Sequence, residues 1–213
     1  MGALSNSESP VSDHGPAFLR GSASSILIGS LNPAILTPTW LAQTGILTGE
    51  VSATSILPVD FPVVQFSIGG LSWAANPGKL EVKSEDGSAD PGDLIAKVME
   101  HLPHTPVQAV GNNLQFASPQ GSPSNLHSLS NAPLFGEIQS MKYEELGHRL
   151  SCRVKSRSGA ILQITLASQR EGGALLSFNF HRECASAEQA AQAARSFPSD
   201  KREAEALAGA LVK

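Results

Sequence analysis

LSCRVK (150–155), LQITL (162–166) and LSFNFH (176–181) are three short runs in which every second residue is apolar. Ser158-Gly159 separates the first pair and Glu171-Gly172-Gly173 the second, both turn-forming combinations. Successive side chains of a strand point to opposite faces, so this pattern predicts a three-strand antiparallel meander with one solvated face. It expects Leu150, Cys152, Val154, Leu162, Ile164, Leu166, Leu176, Phe178 and Phe180 on one buried face.

Working outward, 106–117 reads as a strand with Val110, Leu114 and Phe116 on one face, and Asn112 sharing it. Residues 118–131 read as a polar loop and 133–139 as a short helix or turn. Downstream of the meander, 186–197 predicts a helix with Ala187, Ala190, Ala191 and Ala194 as a narrow packing face. Pro198-Ser199-Asp200 breaks it, and a second helix follows over 201–211.

The first half has the same order. Residues 25–31 read as a strand. Thr37-Pro38 starts a short helix closed by Gly45. Residues 46–58 read as irregular. Three strands follow at 61–69, 71–75 and 79–84, separated by Gly69-Gly70 and Asn76-Pro77-Gly78. A helix capped by Asp90 carries Leu94, Ile95, Val98, Met99 and Leu102 as one stripe. The expected fold is α+β: a curved, mainly antiparallel sheet with helices packed on one face, built as a duplicated β-α-β-β-β-α unit. The expected division is a disordered tail over 1–23 and a single α+β domain over 24–213, with similar halves at 24–105 and 106–213.

Composition excludes several classes. The 213 residues carry 15 Lys and Arg against 19 Asp and Glu, a net charge of −4, which argues against a general nucleic-acid binder. Two cysteines make neither a disulfide scaffold nor a zinc site. The uncharged run from Gly21 to Gly49 is broken by Asn32, Pro33, Pro38 and Gln43, so no membrane insertion is expected. The N-terminus has no basic start before an apolar core, and cytoplasmic residence is the expectation.

Few residues point to chemistry. His101 and His104 flank Pro103, but no neighbouring set completes a metal site, and a helix C-terminus favours histidine by itself. Cys152 reads as a small buried hydrophobe and Cys184 as partly exposed. His181 and Cys184, three apart on a strand, face opposite ways and form no dyad. His181 and Arg182 read as strand-end surface residues. No phosphate-binding glycine loop, zinc-helix motif or nucleophile elbow occurs. Gly111-Asn112-Asn113 lies inside a strand, where Gly often marks a bulge or close approach. Asn112 and Asn113 then point to opposite faces as candidate ligand or partner contacts. The competing reading of Asn112 is a buried amide satisfied at a bulge.

VVQFSIGGLSWAANPGKLEVKS (63–84), the helix to Leu102, PVQAVGNN followed by LQF (106–116) and the closing LLSFNFHREC strand (175–184) share a layout. It resembles a broad, mostly uncharacterised bacterial family known only by an automated label. The likeness spans about residues 24 to 211. That family carries an Arg-Tyr-Ile-Asn-like strand where this chain has Val110-Gly111-Asn112-Asn113, so only the asparagine part matches. The resemblance implies no catalytic residues.

The function expected from these readings is a non-catalytic protein-binding or adaptor protein of bacterial type, not an enzyme. No cofactor and no metal are expected, and the partner is another protein. Homo-oligomerisation is left open. The partner surface is expected on the loops 118–131 and 46–58, which are poor in charge. The alternative is a small-molecule-binding domain with an apolar pocket between sheet and helices.

Overall fold

The computed structural model describes residues 19–47, 49, 51–57, 63–118, 149–168 and 174–210. In chain order these form β1 (Leu19–Gly29), α1 (Pro38–Gln43), β2 (Val51–Leu57), β3 (Val63–Ile68), β4 (Leu71–Asn76), β5 (Lys79–Ser84) and α2 (Pro91–His101). Then come β6 (Val107–Ser118), β7 (Arg149–Lys155), β8 (Ile161–Ser168), β9 (Ala174–Glu183), α3 (Ala187–Arg195) and α4 (Phe197–Ala210). The fold is α+β, an open antiparallel sheet with helices packed against one face.

The strand order is β2-β3-β4-β5-β1-β6-β9-β8-β7. It is symmetric about the central β1/β6 pair: β5, β4 and β3 step away on one side, and β9, β8 and β7 on the other. Helices α2 and α3 follow the innermost partners β5 and β9 and pack on each other. β2 is an extra strand beyond β3, in the segment read as irregular. VSATSIL (51–57) lacks alternation, and strand geometry there depends on pairing with β3, which a local pattern does not reveal.

β1 also begins earlier than expected, so residues 19–23, read as tail, belong to a strand. A register shift between Arg20 and Ala23 breaks the alternation at Gly21-Ser22, and polar residues facing the open side hid the rest. Gly111, in contrast, makes no bulge: it pairs regularly with Ile26 and His181. The second irregularity lies at Gly29, where a Cβ would overlap the Pro106 carbonyl.

Local chemistry explains the connections. Gly69 and Gly70 have φ of 57° and 78°, as a two-residue hairpin turn requires. Asp90 accepts from Asp93 N–H at 3.1 Å ahead of Pro91. Ser186 caps α3 through Gln189 N–H at 3.2 Å, while Gln189 accepts from Ala185 N–H at 2.8 Å. Pro198 does not break a helix; it sits in the first turn of α4, where its missing N–H costs nothing.

Two apolar cores fill the space between sheet and helices. The larger joins β3, β4, β5, α2 and the alanine face of α3, with Phe66 stacked on Trp73 at 5.6 Å. The smaller joins Phe116, Leu162, Leu176, Phe178 and Phe180 to Phe197 and Ala204 of α4. Burying each such large side chain is worth about 1.5–3 kcal/mol. α2 lies over β1 and β5, α3 over β6, and α4 over β6 and β9.

That placement corrects the reading of the meander. Its register is as expected: Val154 pairs with Leu162 and Leu162 with Phe180, and Cys152 pairs with Ile164 and Ile164 with Phe178. Its burial is not uniform. Leu162, Leu176, Phe178 and Phe180 are buried and Ile164 and Leu166 half-buried, but Leu150, Cys152 and Val154 are exposed. The helix layer is centred on β1, β5, β6 and β9, and β7 is two strands further out. The loop over 119–131, the short helix over 133–139, the Gly172-Gly173 turn and the tail over 1–18 lie outside the described residues.

Candidate functional site

Asn112 and Asn113 do face opposite sides of the sheet, and the two sides differ in kind. Asn112 is 0% exposed. Its Oδ1 accepts from Ser25 Oγ at 2.8 Å, and its Nδ2 donates to Asp200 Oδ2 at 2.9 Å and Ala193 O at 3.3 Å. Asp200, also 0% exposed, accepts two bonds of 2.7 Å from the Arg182 guanidinium. Ser158 Oγ donates to Asp200 Oδ1 at 3.0 Å and itself accepts from Arg182 at 2.6 Å. Asn112 is thus a satisfied buried amide, but its partners are 81 to 88 residues away and not the local backbone of a bulge.

This network overturns the reading of Arg182 as a surface residue. Its side chain is only 13% exposed. The alternation of β9 carries the signal, because Arg182 follows Phe178 and Phe180 on the helix-facing side. Its partner Asp200 lies on α4, which a reading of β9 alone does not supply.

Asn113 lies on the side that carries no helix among the described residues. There Lys83, Ser24, Asn113, Asn179 and Gln163 stand abreast on five adjacent strands. Ser24, Asn113, Asn179 and Gln163 floor a trough of about 560 Å³, with Lys83 at its rim. Asn113 Nδ2 reaches Ser24 Oγ at 3.3 Å, and Asn113 Oδ1 accepts from Asn179 Nδ2. The next row holds Gln115, Ser177 and Thr165. Glu81 and Lys83 at the rim are each neutralised, by Lys79 at 2.8 Å and Glu85 at 2.7 Å.

The third feature is the β7 edge. All seven of its residues are exposed. Leu150, Val154 and, across the hairpin, Ile161 are 40%, 47% and 41% exposed, and they are the exposed large hydrophobics among the described residues. Arg149, Arg153 and Lys155 alternate with the apolar positions and make no ion pair among the described residues. Sequence reading missed this surface because alternation tells the face of a strand, not its distance from the helices.

The remaining candidates separate. His101 ends α2 and packs edge-on to Trp40, with centroids 6.1 Å apart, and both His101 and His104 are exposed. No group of three potential metal ligands occurs among the described residues. Cys184 is buried, not partly exposed, and burial pushes its thiol above the usual range, which disfavours the thiolate a nucleophile needs. Cys152, read as buried, is the exposed thiol. Among the described residues no helix is long and apolar enough to cross a membrane. No family model matches the chain, and no curated protein matches it.

Proposed function

We propose that the protein is a non-catalytic binding protein that takes an extended segment of another protein onto its β7 edge. The observation that carries this reading is the coincidence, on one edge strand, of exposed apolar residues and cations that make no ion pair among the described residues. An edge strand offers free backbone N–H and C=O groups, and a natural edge left long and apolar is a template for strand addition. Leu150 and Val154 select apolar residues at alternate positions of the incoming strand. Arg149, Arg153 and Lys155 select acidic residues at the positions between.

The same charges disfavour a second copy as occupant. An antiparallel β7–β7 pair centred on Cys152 would set Arg149 opposite Lys155 of the other copy, twice over. An apolar ligand pocket between sheet and helices is also disfavoured, because side chains of the two cores occupy that space. The segment 46–58 is not the irregular loop expected, because 51–57 is a strand paired with β3.

The test is fluorescence anisotropy of a labelled ten-residue peptide alternating valine and glutamate, titrated with the full chain. The expected result is saturable binding that weakens with added salt. It is lost in Val154→Asp and absent for the valine–lysine peptide. Equal binding of both peptides, no binding of the acidic one, or survival of binding in a folded Val154→Asp chain overturns the proposal. Concentration-dependent dimerisation abolished by Val154→Asp would assign the edge to a second copy instead.

A further inference from the structure

The trough on the open face is built differently from an ordinary solvated sheet surface. Such faces usually carry long charged side chains, which keep the sheet soluble at little cost in packing. Here the floor over β1, β6, β9 and β8 is made of hydroxyls and carboxamides, and the rim charges are already paired. A carboxamide offers donors and acceptors together, and a hydroxyl does the same.

Part of that capacity is used internally. Ser22 Oγ donates to Gln115 Oε1 at 2.9 Å, Gln163 Nε2 donates to Ser151 Oγ at 3.1 Å, and Asn179 Nδ2 donates to Asn113. These bonds fix the amide planes. They leave Gln115 Nε2 as a donor, Asn179 Oδ1 and Gln163 Oε1 as acceptors, and Ser177 Oγ as both, without a partner among the described residues. The free atoms are thus a donor on β6, acceptors on β9 and β8, and a hydroxyl of both characters on β9, carried by strands about 4.8 Å apart. Ile26 gives the floor an apolar contact, and Gly111 beside it adds no side chain.

The complement of such a surface is a neutral chain whose hydroxyls both donate and accept, repeated at nearly the strand spacing, with one apolar C–H face. We infer that the trough is a binding site for a neutral oligosaccharide lying across β6, β9 and β8. A phosphate-bearing ligand has little to bind, because Lys83 is engaged by Glu85. A divalent cation meets Glu81 as the lining carboxylate, and Lys79 holds it. A nucleobase would find no ring to stack on, because Phe178, the aromatic residue of the lining, is buried in the core.

The experiment is calorimetric titration of the full chain with cellohexaose, maltohexaose and chitohexaose in turn. At least one should bind at millimolar or lower concentration with little dependence on salt. Gln163→Leu combined with Asn179→Leu removes both acceptors and should weaken that binding at least about tenfold. Ser177→Ala, which disturbs no internal bond, should weaken it less, and Val154→Asp at the sheet edge should leave it unchanged. Binding lost in Val154→Asp would assign the sugar to the other surface. The inference is overturned if none of the three glycans binds, or if binding persists undiminished in both trough variants. It is equally overturned if binding appears only with a phosphorylated or sulfated glycan.

Discussion

Gly92 is a single atom's difference from a helix that does not fit. A Cβ there would overlap the Ala194 carbonyl and stand 2.6 Å from Phe197 Cβ, because α2 lies directly on the small-residue face of α3. Alanine is the better helix former by about 1 kcal/mol, so propensity alone predicts that Gly92→Ala stabilises. Overpacking against backbone costs about 1–3 kcal/mol or more, and here the obstacle is a carbonyl that cannot rotate away. Gly92→Ala should therefore lower the melting temperature, as thermal unfolding by circular dichroism would show; a rise would mean that the helices are further apart. Asp86 makes a second prediction at this scale. Ser88 N–H, Ser88 Oγ and Ser84 Oγ donate to its carboxylate, and these bonds hold its pKa down to about 2. A depressed carboxyl contributes stability that is present above its unfolded pKa and lost as pH falls through the folded one. The turn between β5 and α2 should thus loosen between about pH 4 and pH 2. Carbon-detected titration of Asp86 should give a midpoint well below the ordinary range, and a midpoint near 4 would contradict the bonding.

β8 and β9 show how burial falls off across an element whose sequence pattern does not change. Phe178 is buried against Phe116, with ring centroids 5.7 Å apart; Ile164 beside it is half-buried, and Cys152 beside that is exposed. Phe178→Ala should cost about 3–5 kcal/mol. Val154→Ala, on the same face at the edge, should cost under about 1 kcal/mol. Denaturant unfolding of the two variants checks the gradient, and equal losses would place a helix layer over β7. Strand identity, register and facing were legible here because alternation is local. The distance of each strand from the helices was not, because strand order depends on which distant segments pair. The same distinction explains β2, whose pairing with β3 supplies the regularity that VSATSIL lacks. It also explains Asn112, visible as a polar residue on an apolar face, while its partners Ser25 and Asp200 come from β1 and α4.

At the scale of the molecule, the polar network lies between the two cores. Ala23 and Leu114 belong to the smaller core and Leu27 and Val110 to the larger, and Ser25 and Asn112 lie between them on the central strand pair. Arg182 and Asp200 extend this belt to β9 and α4. Asp200→Ala strands a guanidinium and an amide in the interior and should cost about 3–5 kcal/mol, measured by denaturant unfolding. A loss under about 1 kcal/mol would mean that water reaches the site freely. The belt anchors α4 over β6 and β9, and this position of the helices leaves β7 uncovered. We propose that this uncovered edge receives a partner strand. Backbone amide hydrogen exchange of the full chain, with and without saturating valine–glutamate peptide, tests it most directly. The expected result is slowed exchange confined to β7, with the β1 and β6 amides unchanged. Unchanged exchange in β7, or protection at the open face instead, would contradict it.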